Sequence, residues 1–183
     1  GLAQDFKLNI ECNHATLSGH SCEHELAFAS LRNALGNVDA NTGDAQTGWD
    51  TDQFLTDVPT ATAIGRVILK QGGLAPGGIN FDAKLRREST DLVDLFHGHI
   101  GGMDALARGL RNAAAIAADG TLDGMVAERY ASFRSGVGKR IAEGKATLEE
   151  LEKVALAAPA DPVVGLQSAR AELYENVLSR FLR

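Results

Sequence analysis

The chain has 183 residues, 44% of them apolar, enough for one domain, or one part of a larger one, with a real core. A formal net charge of −6, no long Lys/Arg block and 5% aromatic content remove the electrostatic footprint of a nucleic-acid binder and favour cations or neutral polar molecules as partners. Apolar runs such as Asn112 to Ala118 fall well short of the roughly 20 residues of a membrane span, so no membrane partner is expected either.

The sequence opens GLAQDFKLNI, without a methionine, and reads as strand by about the sixth residue, as a start inside a fold would. Phe6, Leu8, Ile10 and Cys12 alternate with Lys7, Asn9, Glu11 and Asn13, the period of two of a strand with one greasy face and one face carrying Glu11. A turn-rich stretch from His14 to His20 leads to a predicted helix over Cys22 to Leu35, with Ser21 as N-cap and Gly36 as stop. Cys12 and Cys22 have no zinc-ribbon spacing and no signal segment before them, which predicts free thiols and a cytoplasmic protein. A short strand, Asn37 to Asn41, precedes a long loop containing GWDTDQF, Gly48 to Phe54. A helix follows from about Pro59 to Gln71, with Pro59 in its first turn and Gly72 and Gly73 ending it. The third strand is Gly77 to Lys84. Strands separated by helices predict parallel pairing.

From Ser89 onward only helices are predicted: Asp91 to Ile100, Met103 to Ala118, Leu122 to Arg134, Leu148 to Leu156 and Leu166 to Leu182, broken by glycines or by Pro159 and Pro162. Several are rich in alanine and thin in large apolar residues, so a partner surface would help them. Met103 and Met125 read as helix packing.

Chemistry-bearing residues gather where parallel strands end. The first strand carries Glu11, with His14 three residues on; the second carries Asp39 and the third Asp82. In GWDTDQF, Asp50 and Asp52 are two apart, so an extended backbone would turn both carboxylates to one side. Singly, Asp39 or Asp82 reads as a turn or cap residue and His14 as a structural histidine. Together, five carboxylates in one pocket would repel one another by several kcal/mol per close pair at low effective dielectric. A divalent cation resolves that conflict. Carboxylates with a single imidazole suit Mg²⁺, Mn²⁺ or Co²⁺, and five suffice for two ions sharing a bridge. His20, His24, His97 and His99 are left outside the site, Lys84 reads as a salt bridge to a neighbouring acid, and Lys84 to Ser89 as a solvated or interface turn.

KLNIECNHATLSGH, VDANTGDAQTGWDTDQF, GGINFDAKLRRESTDLVDLFHGHIGGMDALARGL, ERYASF and GKATLEELEK resemble the xylose isomerases of the longer-chain class. That resemblance implies a (β/α)₈ barrel with a helical C-terminal arm embracing another subunit, in a dimer or tetramer. It further implies an aldose–ketose isomerase (D-xylose to D-xylulose, with D-glucose to D-fructose as a further reaction) working with two divalent cations, Mg²⁺ foremost, and no organic cofactor. By the same likeness Glu11, Asp39 and Asp82 would hold the first ion, and Glu11, His14, Asp50 and Asp52 the second. Trp49 would be a packing residue. KLNIECN resembles the sixth barrel strand, so the five preceding units, with the ring-opening pair, the sugar-pocket walls and one ligand of the first ion, have no counterpart here.

The expected fold is therefore α/β: an incomplete TIM-type (β/α) barrel of three parallel strand-helix units over residues 1–88, then an all-helical arm over residues 89–183. The expected function is a weakened isomerase of this type. The alternatives are a metal-binding, self-associating fragment without turnover, and the C-terminal piece of a full enzyme. A homo-oligomer is expected in each case, because three parallel strands leave two open edges.

Overall fold

The computed structural model describes residues 2–158 and 168–182. Two compact units result, Gly1–Ala118 with Phe181–Arg183 in one and Asp119–Arg180 in the other.

In the first unit, strand β1 (Leu8–Glu11) runs into a short helix α1 (Cys12–Leu17), and α2 (Cys22–Leu31) returns the chain to β2 (Leu35–Asp39). A two-residue strand β3 (Asn41–Thr42) pairs antiparallel with β4 (Gln53–Phe54), pinching the base of the loop that carries GWDTDQF. Helix α3 (Val58–Gln71) then leads to β5 (Ile79–Asn80), and α4 (Leu92–Asp119) follows. The main sheet has the order β1-β2-β5 and both pairings are parallel, as predicted. Leu26, Leu35, Val38, Leu55, Ile64 and Ile68 form the core between this sheet and α2 and α3.

Local chemistry explains the boundaries. Ser21 caps α2 by accepting from the His24 N–H at 3.1 Å. The helix stops at Leu31, before the predicted Leu35, because Asn33 takes the left-handed conformation (φ 52°) and the Asn33 and Ala34 N–H groups close back on the Ser30 and Ala29 carbonyls, each at 2.9 Å. That early stop frees Leu35 for the strand. Gly72 and Gly73 end α3 in the same manner, with φ of 94° and 106°.

Four expectations are corrected. First, the strand predicted through Asn13 stops at Glu11, and only part of its greasy face is covered: Phe6, ahead of the strand, and Leu8 are exposed, whereas Ile10 packs against the core. Second, Cys12 and Cys22 are not free thiols: they are joined by a disulfide, their Cα atoms brought within 4.7 Å by the starts of α1 and α2. Third, Trp49 and Met103 are not packing residues, being 73% and 53% exposed. Fourth, the predicted break at Gly101 and Gly102 is absent, and α4 runs unbroken for 28 residues. Its glycines are contact points. A Cβ on Gly98 or Gly102 would stand 2.9 or 3.0 Å from the rings of Phe54 or Phe81, and one on Gly109 would stand 2.4 Å from the Ala61 carbonyl carbon in α3.

The second unit is helical: α5 (Thr121–Arg129), a 3₁₀ turn (Ala131–Arg134), α6 (Gly136–Ala142), α7 (Leu148–Leu156) and α8 (Ala171–Ser179). Helix α7 keeps its predicted bounds because Thr147 and Glu150 form a reciprocal capping box. The helix predicted over Leu122 to Arg134 closes at Arg129 into the 3₁₀ turn, and α6 was not predicted. Pro159, Pro162 and the start of the helix predicted from Leu166 lie outside the described residues. No helix among the described residues is long and apolar enough to cross a membrane.

Candidate metal centre

Sheet register builds the site. Glu11, the last residue of β1, pairs with Asp39, the last of β2, and Asp39 pairs with Asn80 at the end of β5. Three strand ends thus present a row of polar side chains, with Asp82 two residues beyond Asn80. Helix α1 begins at once after Glu11 and turns His14 back over it, with Nδ1 3.2 Å from Glu11 Oε2. The pinched loop brings Asp50 from the other side, its Oδ2 3.2 Å from His14 Nε2.

Two groups of ligand atoms result, each with its members within 4.8 Å of one another: Glu11, His14 and Asp50, and Glu11, Asp39 and Asp82. Glu11 belongs to both. Asp52 stands outside these groups, its Oδ2 2.8 Å from Lys84 Nζ. So Lys84 does pair with an acid, though one reached across the loop rather than its near neighbour Asp82. Asp39 is 4% exposed while His14 is 58% exposed, so the row is closed toward the sheet and open to water at α1.

Four asparagines that sequence reasoning passed over hold four of the five carboxylates in place, those of Glu11, Asp39, Asp50 and Asp52. Asn9 and Asn80 donate to the two oxygens of Asp39, each at 2.5 Å. Asn13 donates to Asp50 at 2.5 Å and to Asp52 at 3.1 Å. Asn41 donates to Glu11 at 2.9 Å and to the Asp82 carbonyl at 3.1 Å, and its own carbonyl accepts from the Asn13 N–H at 2.9 Å. A signal was present: each asparagine lies two residues from an acid at a strand end, in NIECN, DAN and NFD.

Ionisation follows from this packing. Burial pushes the Glu11 carboxyl above its ordinary value, and the charges of Asp52 and Asp50 add to that, against the Asn41 hydrogen bond and the His14 charge. The hydrogen bond to Asp50 raises His14, helped by the neighbouring carboxylate charges. Burial works against ionisation of Asp52, yet hydrogen bonding to Lys84, Asp50 and Asn13, with the Lys84 charge, holds its pKa down at about 2. The bond to Asp52 in turn raises Lys84. Five carboxylates with one imidazole and one adjacent ammonium leave a surplus of negative charge. That donor set fits hard or borderline divalent cations.

Comparison with known proteins agrees with the resemblance read from the motifs. The family model described as the XylA2 C-terminal domain matches residues 126–182. A xylose isomerase of Arabidopsis thaliana is 61% identical over 177 residues, covering 97% of this chain and 36% of that protein. Xylose isomerase 1 of Xanthomonas axonopodis pv. citri is 57% identical over 182 residues, 100% of this chain and 40% of its own, and a xylose isomerase of Hordeum vulgare is 60% identical over 156 residues, 85% of this chain and 33% of its own. The chain thus spans about a third to two-fifths of the length of these relatives.

Proposed function

Because this chain belongs with the xylose isomerases, as a counterpart of their C-terminal part, we propose that it supplies the metal-ligand half of an aldose–ketose isomerase site. The substrate class is a small aldose or ketose, D-xylose and D-xylulose foremost. The observation that carries the reading is the sharing of Glu11 between two ligand groups, which suits a carboxylate bridging two cations. Glu11, Asp39 and Asp82 would hold the first ion. Glu11, His14 and Asp50 would hold the second, with Asp52 joining them. Bound divalent cations, Mg²⁺ foremost and Mn²⁺ or Co²⁺ as substitutes, supply the Lewis acidity for a hydride shift between the first two sugar carbons.

The chain's own residues orient and exclude. The asparagines fix the carboxylates, and the sheet excludes water behind Asp39. The three strand-helix units are read as a partial TIM-type barrel, and the helices of the second unit as an arm that joins subunits. Exposed apolar side chains on that unit, Val126, Tyr130, Phe133, Ile141, Leu148 and Leu156 among them, support such a role. A second reading, metal binding and self-association without turnover by this chain alone, is favoured by the openness of the site at His14.

The deciding experiment follows D-xylulose formation with Mg²⁺, Mn²⁺ or Co²⁺ alongside bound-metal stoichiometry, for the chain and for the double variant Asp50→Ala/Asp52→Ala. The variant is expected to lose one divalent ion per chain and any turnover, with its helical circular dichroism kept. Two ions without turnover in the parent chain would select the second reading; unchanged stoichiometry in the variant would reject the ligand assignment.

Metal affinity is also expected to depend on pH with a definite sign. His14 and Glu11 are both raised, so each keeps its proton to higher pH than an ordinary group, and the cation must displace those protons. Affinity should therefore fall as pH drops through the raised His14 value, which lies above 6.5, and level off on the alkaline side. Mn²⁺ titrations at about pH 5.5, 7 and 8.5 measure this. A flat profile would exclude His14 as a ligand.

A further inference from the structure

We infer that Lys84 is a built-in competitor for the second cation, limiting its affinity by holding Asp52 out of the ligand set. The inference rests on the metal reading above and goes beyond it. Lys84 grips Asp52 twice: Nζ lies 2.8 Å from Asp52 Oδ2, and the Lys84 backbone N–H donates to the Asp52 carbonyl, also at 2.8 Å. Lys84 Nζ also lies 3.5 Å from the Asp50 carbonyl oxygen. The other oxygen of Asp52 accepts from Asn13 at 3.1 Å and Asn41 at 3.4 Å. Both oxygens are engaged, and Asp52 is the one acid of the five that joins neither ligand group.

An ammonium and a divalent cation at neighbouring positions repel each other and contend for the same carboxylate oxygen. Lys84 is free to yield, because its side chain is 62% exposed against 18% for Asp52, so its charge can swing into water without being buried. The cation must displace it nonetheless. Each binding event at this position then exchanges one charge partner of Asp52 for another, and the affinity is lower than the ligand count alone would set.

The test is calorimetric titration of the full chain with Mn²⁺, comparing wild type with Lys84→Gln, which removes the charge, and Lys84→Arg, which keeps it. Lys84→Gln is expected to tighten one of the two Mn²⁺ sites by roughly tenfold at low ionic strength, leaving the other within twofold, and Lys84→Arg to stay near wild type. Added salt should narrow the difference. If Lys84→Gln binds Mn²⁺ no more tightly than wild type, or if both variants weaken it alike, Lys84 only orients Asp52 and the inference is overturned. If wild type binds no Mn²⁺ at all, the metal reading itself fails, which separates the two cases.

Discussion

Glu11→Gln is expected to strip both divalent ions from the chain, weakening each by more than about a hundredfold while the fold persists. Changes to groups that merely orient a ligand already cost metal sites about ten- to a hundredfold, and Glu11 stands in both ligand groups, so no other single position should match it. Glutamine keeps an oxygen to accept from Asn41 and matches glutamate in size, so circular dichroism and melting temperature should hold steady. Removing a charge that burial already disfavours should not harm stability. Metal analysis after dialysis against Mn²⁺ reads the outcome. Retention of even one ion at wild-type affinity would show that Glu11 is not shared.

A large loss of stability is expected from Gly109→Ala. The added Cβ would stand 2.4 Å from the Ala61 carbonyl carbon, 2.6 Å from its oxygen and 2.7 Å from its Cβ, so α3 and α4 must part. Backbone cannot swing aside as a flexible side chain can. Overpacking of this kind costs about 1–3 kcal/mol or more, despite the better helix propensity of alanine. Gly124→Ala is the control: nothing lies within 4 Å of the added atom in α5, and the change should stabilise by roughly 0.5–1 kcal/mol. Thermal and urea melts of the two variants should move in opposite directions, and equal shifts would refute this account of the α3–α4 contact.

Much of the first unit could be read in advance because its signals are local. Ser21, and Pro59 with the two glycines after Gln71, sit beside the structure they specify, and α3 fell near its predicted bounds, as α7 did in the second unit. Alternation placed Glu11 on a strand, and the gathering of acids at strand ends suggested the ligand row. The misreadings share a cause: each depended on partners distant in sequence. Glycine within α4 looks like a breaker until Phe54, Phe81 and Ala61 are known to press against it. Two cysteines ten apart look unpaired until α1 and α2 bring them together. Trp49 looked like packing, yet nothing among its neighbours in sequence could say which surface would cover it. Asp52 looked equivalent to Asp50 because a period of two assumes extended backbone, whereas its φ is 42° and its side chain goes to Lys84. The asparagine pattern was legible and was missed because amides carry no charge to draw notice.

That neutrality has a consequence of its own. An amide donor can aim a carboxylate but cannot cancel its charge, so the shell of Asn9, Asn13, Asn41 and Asn80 separates the tasks of orientation and compensation. Lysines in those places would have produced a self-sufficient network of ion pairs, stable and indifferent to any ion in solution. Amides instead leave a shaped deficit of positive charge. Under the metal reading proposed above, a cation would complete the electrostatics of the strand ends, with Lys84 giving way at Asp52.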